Sequence, residues 1–320
     1  MTRGRGTDTA PEGDYAIELS VVMPCLNEED SVPWCVERAW RGIERSGLTG
    51  EVVVCDNGSA DRSVELAERA GAKVVHEARR GYGRAYRTGI DASVGRMIVI
   101  GDSDCSYDFL ELHTLIDPLL NGYDYVLGSR FDGTILPGAM PTLNRYLGNP
   151  VLNGVLNVLF GLDTSDAHSG MRAFTRNAYE RMQLRCDGME FASEIVIAAS
   201  RAGLRVTEAP ITYHPRLGDS KLHRWRDGFR HLGFMFAEAL SPRPRGEQQA
   251  STENGAIARE NGVPGLSASN GRPKPTPEPA ADPEPARTAA DLGSSAPVDD
   301  ESDEPWLEQP AGTTRRGGTR

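Results

Sequence analysis

Met97-Ile98-Val99-Ile100-Gly101-Asp102-Ser103-Asp104 is the stretch that decides the fold. Four apolar residues form a strand of the buried type, which stops at a glycine and two carboxylates spaced one residue apart. Similar apolar runs at residues 17–23 and 51–55 end at Pro24 and Asp56, and segments with helical spacing separate the runs. Short apolar strands that alternate with helices predict βαβ units and a parallel sheet covered by helices on both faces. The sequence therefore predicts an α/β fold.

The alternation of strands and helices stops near residue 130. The pattern predicts strands over residues 17–23, 51–55, 73–76, 97–100, 123–127 and 205–213. It predicts helices over residues 31–45, 63–70, 84–93, 109–120, 190–202 and 222–240, and an apolar segment over residues 143–162. We therefore predict one domain over residues 16–240, with halves at 16–129 and 130–240.

The two ends of the chain differ from this domain in composition. The chain has 320 residues, a net charge of −11 and 21 prolines, of which residues 246–320 hold 10. A segment with few apolar residues and many prolines cannot bury enough surface to offset the entropy lost on ordering. We therefore predict a disordered, Pro-rich acidic tail over residues 241–320 and a flexible N-terminus over residues 1–15.

Composition also excludes several classes of protein. No run of 18 or more apolar residues is present, and the first 15 residues lack the apolar core of a secretory signal. The five cysteines form no C-x-x-C pair, which disfavours a disulfide framework and a structural zinc site. The acidic net charge disfavours nucleic acid as a partner. We expect a protein of the reducing cytoplasm.

Polar side chains follow several predicted strands, at the edge where open α/β sheets bind ligands. Asp102 and Asp104 suit a hard divalent cation such as Mg²⁺, which also takes oxygens from a substrate phosphate. Asp56 is placed to accept a hydrogen bond from a nucleotide base, with an Asx-turn as the alternative. Two cations after the last strand, Arg216 and Lys221, suit a diphosphate whose negative charge grows as it leaves.

Seven motifs, in this order, carry a resemblance to a known family. They are V-V-M-P-C-L-N-E-E at residues 21–29, V-C-D-N-G-S-A-D-R-S at 54–63, G-D-S-D at 101–104, G-S-R-F at 128–131, D-A-H-S-G-M-R-A-F at 166–174, E-A-P-I-T-Y at 208–213 and R-L-G-D-S-K-L at 216–222. Over residues 18–240 the chain resembles family 2 glycosyltransferases, and among them the synthases of dolichyl- and polyprenyl-phosphate hexoses. The resemblance implies a GT-A type fold, a GDP- or UDP-linked sugar donor, and Mg²⁺ or Mn²⁺. It makes residues 16–129 the nucleotide-binding half and 130–240 the acceptor half.

The resemblance also implies roles for individual residues. Nucleotide-sugar binding would involve Pro24, Leu26, Glu28, Asp56, Asp102, Ser103, Arg130, Arg216 and Lys221. Metal binding would involve Asp102, Asp104 and Ser106, and catalysis would involve Asp104, Asp166, Arg216 and Lys221. Asp166 and Glu194 would lie on the acceptor side. One departure is G-D-S-D-C-S in place of the commoner D-A-D-L-Q, so Ser106 stands where a third ligand is frequent.

The expected activity is the metal-dependent, inverting transfer of a hexose from a nucleotide sugar to a polyprenyl phosphate. A phosphate acceptor is already anionic, whereas a hydroxyl acceptor needs a general base, for which Asp166 is the candidate. Two alternatives stay open: a soluble glycosyltransferase acting on a small-molecule or cell-envelope hydroxyl, and a non-catalytic nucleotide-sugar-binding protein. A sugar nucleotidyltransferase is disfavoured, because the loop after the first strand is acidic rather than rich in glycine and basic residues.

Two apolar segments favour peripheral contact with a membrane. Neither residues 143–162 nor residues 229–240 offer the ~20 uninterrupted apolar residues that span a bilayer. Arg224, Arg226 and Arg230 precede or interrupt the second segment, as in a helix at an anionic interface. The alternative is that both segments belong to the core. If the first interpretation holds, we expect reversible, salt-sensitive binding to anionic liposomes that is lost when Phe234 and Phe236 are replaced by Ser.

Overall fold

The computed structural model describes residues 16–218 and 224–240, all within the compact unit Met1–Val263. The tails predicted at residues 1–15 and 241–320 lie outside the described residues. The strands are β1 (Leu19–Cys25), β2 (Gly50–Asp56), β3 (Lys73–His76), β4 (Met97–Ile100), β5 (Tyr125–Ile135), β6 (Arg172–Thr175) and β7 (Val206–Tyr213). The helices are α1 (Val32–Ser46), α2 (Ser63–Arg69), α3 (Tyr82–Ala92), α4 (Leu112–Leu120), α5 (Asn149–Phe160), α6 (Arg176–Met182), α7 (Phe191–Arg201) and α8 (Arg224–Leu240).

The seven strands form one sheet in the order β3-β2-β1-β4-β6-β5-β7. β1 pairs in parallel with β2 and β4, so that Val22 lies opposite both Val53 and Ile100. β6 pairs antiparallel with β4 and β5, and β5 pairs in parallel with β7. The predicted α/β fold is confirmed, and its first half is parallel as predicted. β6 was not predicted, because its sequence R-A-F-T begins with a charged residue and lacks the continuous apolar run that marks β4, a strand of the same length.

Helices cover the sheet in two groups. α1 contacts α2 and α4, whereas α7 contacts α3 and α6. Val22, Ile98 and Leu127 of the central strands share one core cluster with Ile90 of α3 and Ile195 of α7. Burial of such side chains is the main favourable term in folding. The central strands β1 and β4 are therefore almost continuous apolar runs, which is the pattern that the sequence shows.

The apolar segment predicted at residues 143–162 consists of a π-helical turn (Asn144–Gly148) followed by α5. Pro150 is the second residue of α5 and follows directly on the π-helical turn, where the ladder of helical hydrogen bonds is already irregular. α5 contacts α8. Within residues 16–218 and 224–240, no helix has both the length and the apolar character needed to cross a bilayer.

Candidate active site

A cleft of about 940 Å³ opens at the carboxyl edge of β1 and β4. The segments that follow these two strands form its acidic end, and side chains of the π-helical turn and α5 form an apolar wall. The structure thus brings most of the predicted site residues to one place: the lining includes Pro24, Leu26, Glu28, Asp102, Ser103, Asp104, Arg130 and Arg216.

Asp102 is held by two tyrosines that the sequence analysis did not select. Its Oδ1 accepts hydrogen bonds from the hydroxyl groups of Tyr82, at 3.0 Å, and Tyr86, at 2.9 Å. Burial, and then the negative charge of Asp104, raise the pKa of Asp102 above its ordinary value. Carboxylates that repel each other in this way favour a bound cation.

Asp104 is buried, and both of its carboxylate oxygens have partners. Oδ1 accepts a hydrogen bond from the backbone N–H of Ser106 at 3.0 Å, and Oδ2 lies 3.1 Å from Nη2 of Arg216. The described residues contain no cluster of three or more His, Cys, Asp or Glu side chains able to hold a metal. The pair Asp102 and Asp104 still fits Mg²⁺ or Mn²⁺, because such ions take further ligands from substrate phosphates and water.

Two serines lie near Asp102 and Asp104. Ser103 binds the backbone of β1, and Ser106 is buried away from the cleft. Ser103 lines the cleft, but its Oγ donates to the carbonyl oxygen of Pro24 at 2.8 Å and so ties the end of β4 to β1. Ser106 is 2% exposed and is absent from the described lining of the cleft. Its position therefore gives no support to the prediction that Ser106 is a metal ligand.

The segment after β1 is fixed by the start of α2. The backbone N–H of Glu28 donates to Oγ of Ser63 at 2.8 Å, and Oγ of Ser31 donates to the Glu28 carboxylate at 3.2 Å. Glu28 reaches to 4.0 Å from Nη2 of Arg216. Pro24 and Leu26 line the same end of the cleft. This end can therefore take a group that has both apolar and polar faces, such as a nucleoside.

Asp56 caps a turn instead of facing the cleft. It is 5% exposed, and its oxygens accept from the backbone N–H groups of Gly58, at 3.1 Å, and Ser59, at 2.9 Å. Burial acts to raise the pKa of Asp56, but hydrogen bonds from Ser59, His76 and Gly58 outweigh it and lower the pKa. The structure therefore shows the Asx-turn that the sequence analysis treated as the alternative. Contact of Asp56 with a base stays a prediction.

Asn57, the next residue, does line the cleft, and sequence analysis missed it. Its Nδ2 donates to the carbonyl oxygens of Glu77 and Arg79, each at 2.9 Å, and its Oδ1 accepts from the N–H of Gly81 at 2.8 Å. These bonds fix the loop that brings Arg80 to the cleft. An asparagine directly after a strand-end aspartate was the available signal.

Arg130 and Asp166 form a buried ion pair. The Arg130 side chain is 8% exposed and that of Asp166 is 1% exposed. Nε and Nη2 of Arg130 each donate to the carboxylate at 2.7 Å, and the backbone N–H of Arg130 donates at 3.0 Å. Arg130 lines the cleft, whereas the described lining does not include Asp166. This geometry gives Asp166 the task of positioning Arg130 and argues against its predicted role as a general base.

The Glu194 carboxylate binds backbone N–H groups and does not line the described cleft. Its two oxygens accept from the N–H groups of Arg185 and Cys186, each at 2.9 Å. Glu194 therefore fixes the loop before α7. The position gives no support to the acceptor contact that the resemblance implied.

Arg216 reaches the acidic end from the segment after β7. The N–H of Leu217 donates to the carbonyl oxygen of Asp104, and the N–H of His214 donates to that of Ser106, each at 2.9 Å. These backbone bonds hold the segment against the residues that follow β4. The predicted partner of Arg216, Lys221, lies outside the described residues.

The apolar wall of the cleft continues onto the surface. We call Leu143, Tyr146, Leu147, Val151 and Val158 the apolar face; their exposed fractions lie between 50% and 84%. Leu143, Leu147 and Val151 also line the cleft. These exposed side chains do not match the alternative that residues 143–162 belong wholly to the core, and contact of this segment with a membrane stays a prediction.

The described side chains of α8 are partly exposed and partly packed against the core. Phe236 is 51% exposed, but Phe234 is partly buried against the core cluster. The side chains of Arg224, Arg226 and Phe229 lie outside the described residues. Replacing Phe234 would therefore disturb packing as well as the surface.

Comparison with known proteins gives a family. The model of the family described as Glycosyl transferase family 2 matches residues 20–183. The low-salt glycan biosynthesis hexosyltransferase Agl6 of Haloferax volcanii is 46% identical over 229 residues, or 71% of this chain, and the match spans 55% of that protein's length. A dolichyl-phosphate hexose transferase of the same organism is 32% identical over 213 residues, which are 66% of this chain and 89% of that protein.

The fold matches solved structures. Glucosyl-3-phosphoglycerate synthase of Mycobacterium tuberculosis, crystallised with Mn²⁺, uridine diphosphate and glucosyl-3-phosphoglycerate, superposes with a TM-score of 0.56. The match covers 71% of this chain and 81% of the synthase, at 23% identity. This likeness concerns the fold, which is of the expected GT-A type.

Proposed function

Because the chain belongs to glycosyl transferase family 2, we propose that it transfers a hexose from a nucleoside-diphosphate sugar to a polyprenyl phosphate. The observation that carries the proposal is one continuous cleft, with Asp102 and Asp104 at its acidic end and an apolar wall that opens onto the apolar face. A sugar nucleotide suits the first end, and a lipid-linked acceptor suits the second. The name of the Haloferax dolichyl-phosphate hexose transferase supports this acceptor class.

We place the donor at the acidic end. Pro24, Leu26 and Glu28 would contact the nucleoside, and Asp102 and Asp104 would hold Mg²⁺ or Mn²⁺ beside the diphosphate. A bound divalent cation neutralises the diphosphate as it leaves. Arg216 of the chain itself supplies a second positive charge, with a planar guanidinium suited to phosphate oxygens.

The acceptor phosphate belongs beside Arg130, whose guanidinium is held in place by Asp166. In an inverting transfer, an acceptor oxygen attacks C1 of the sugar from the side opposite to the diphosphate, and the bond from C1 to the diphosphate breaks. An anionic phosphate oxygen can make this attack without a general base. The engagement of Asp166 with Arg130 therefore fits a phosphate acceptor better than a hydroxyl acceptor.

The apolar face gives the acceptor lipid a route to the cleft. Residues 133–162 contain no Asp or Glu, although the chain carries a net charge of −11. A surface that is apolar and free of negative charge suits an anionic bilayer interface. We propose that the apolar face lies on the membrane that carries the acceptor.

The test is a transfer assay with the full chain. Labelled UDP- and GDP-hexoses are incubated with Mn²⁺ or Mg²⁺ and a polyprenyl phosphate, and product is measured by its partition into organic solvent. Parallel reactions contain the matching polyprenol, which lacks the phosphate, and the Asp104→Asn variant. We expect label in the organic phase only with the polyprenyl phosphate and the unaltered chain. Transfer to polyprenol, or no turnover with any donor, would contradict the proposal.

A further inference from the structure

A divalent cation held by Asp104 would draw on the carboxylate oxygen that faces Arg216. Oδ1 of Asp104 already accepts from the backbone N–H of Ser106, whereas Oδ2 faces Nη2 of Arg216 at 3.1 Å. Metal binding through Asp104 therefore competes with the guanidinium. Both are positively charged, so they also repel each other when they share this end of the cleft.

Backbone hydrogen bonds, and not the side chain alone, bring Arg216 close to Asp104. The two bonds from His214 and Leu217 to the carbonyl oxygens of Ser106 and Asp104 place Arg216 directly over the acidic pair. The side chain of Arg216 is nevertheless 30% exposed, which leaves it room to move.

Arg216 also has more hydrogen-bonding capacity than it uses. Its Nε is buried and has no hydrogen-bond partner among the described residues. A second carboxylate, that of Glu28, lies 4.0 Å from Nη2. A buried donor without a partner is costly, and a phosphate oxygen could satisfy it. The guanidinium is thus incompletely satisfied by its contact with Asp104.

We propose that Arg216 is an exchangeable counter-ion: it pairs with Asp104 and turns to the diphosphate when donor and divalent cation bind together. The inference rests on the proposed function, because it requires a metal and a diphosphate in this cleft. Metal alone must displace the guanidinium from Asp104 and leaves it Glu28, at the longer distance of 4.0 Å, as its carboxylate partner among the described residues. Metal and diphosphate together supply a new partner, so each raises the affinity for the other, and this coupling is reciprocal.

The first experiment measures the affinity of the full chain for Mn²⁺ in the absence of nucleotide, with electron paramagnetic resonance as the readout. We expect Arg216→Gln to bind Mn²⁺ roughly tenfold more tightly than the unaltered protein, a factor within the usual range for coupled sites. Arg80→Gln is the matched control, because it removes the same charge from the same cleft. Arg80 donates to the carbonyl oxygen of Gly58 and is not paired with Asp104. Its Mn²⁺ affinity should change by less than about twofold.

The second measurement is the affinity for uridine and guanosine diphosphates with and without Mn²⁺, by calorimetry. Arg216→Gln should reduce the factor by which Mn²⁺ strengthens nucleotide binding, and Arg216→Lys should keep the Mn²⁺ affinity of the unaltered chain. If Arg216→Gln binds Mn²⁺ no more tightly than the unaltered chain, the proposed exchange of counter-ions is overturned. The same holds if neither the variant nor the unaltered chain binds Mn²⁺. Failure of the unaltered chain to bind either diphosphate with Mn²⁺ would instead contradict the proposed function.

Discussion

Replacing Asp166 by Asn tests whether this carboxylate positions Arg130 or acts as a base. The carboxylate takes three hydrogen bonds from Arg130, and neither side chain is more than 8% exposed. Removing one partner of such a buried pair leaves an uncompensated charge, which costs about 3–5 kcal/mol. A domain of this size loses roughly 2–4 °C of melting temperature per kcal/mol, so we expect a decrease of roughly 6–20 °C.

Thermal unfolding is monitored by circular dichroism. The rate of hexose transfer is measured separately, at a temperature well below the melting temperature. Asp163→Asn is the matched control, because Asp163 lies three residues before Asp166 and its side chain is exposed. This change should alter the free energy of unfolding by less than about 0.5 kcal/mol. If Asp166 positions Arg130, the folded variant should bind the acceptor phosphate more weakly. An unchanged melting temperature together with a ~1000-fold loss of kcat would refute this reasoning and restore Asp166 as the base.

Three further predictions concern the metal pair, the apolar face and helix packing. Asp104→Asn should keep its circular dichroism spectrum but lose most transfer; unchanged turnover at saturating Mg²⁺ and Mn²⁺ would contradict the metal assignment. Tyr146→Ser should weaken binding to anionic vesicles, measured by sedimentation, by roughly tenfold, because burying one large apolar side chain contributes ~1.5 kcal/mol. Val94 is exposed at the opposite edge of the sheet, so Val94→Ser should leave this binding unchanged. Gly83→Ala should destabilise the fold by about 1–3 kcal/mol, because a Cβ would lie 2.4 Å from a backbone oxygen; Gly154→Ala, with open space around it, should stabilise by about 0.5–1 kcal/mol in denaturant unfolding.

The parts of the site that sequence could predict are those whose signal is local. Asp102 and Asp104 follow directly on a buried strand, and the sheet topology then brings them to the same edge as the residues after β1. That inference needs only the strand pattern and the rule that parallel strands end together. Arg216 was also indicated by its position after the last predicted strand, whereas Glu28 came from the family resemblance.

The parts that sequence could not predict depend on partners distant in the chain. Tyr82 and Tyr86 bind Asp102 from α3, and nothing in the local sequence marks them as partners of a carboxylate. Asp166 meets Arg130 across 36 positions, so the motif identified the residue but not where its oxygens point. The sequence left open whether Asp56 contacts a base or forms an Asx-turn; the structure shows the turn, with hydrogen bonds from the backbone N–H groups of Gly58 and Ser59, and contact with a base stays a prediction.

The two arginines of the cleft show why burial and partners matter more than residue type. Arg130 lines the cleft, but its side chain is only 8% exposed and makes two 2.7 Å bonds to Asp166, so its guanidinium is held in a fixed position. Nη2 of Arg216 lies 3.1 Å from Asp104 and 4.0 Å from Glu28, its side chain is 30% exposed, and it shares Asp104 with the proposed metal. A fixed charge suits the acceptor phosphate, whose position must be set before attack. An exchangeable charge suits the diphosphate, because it is needed only where negative charge develops on the leaving group.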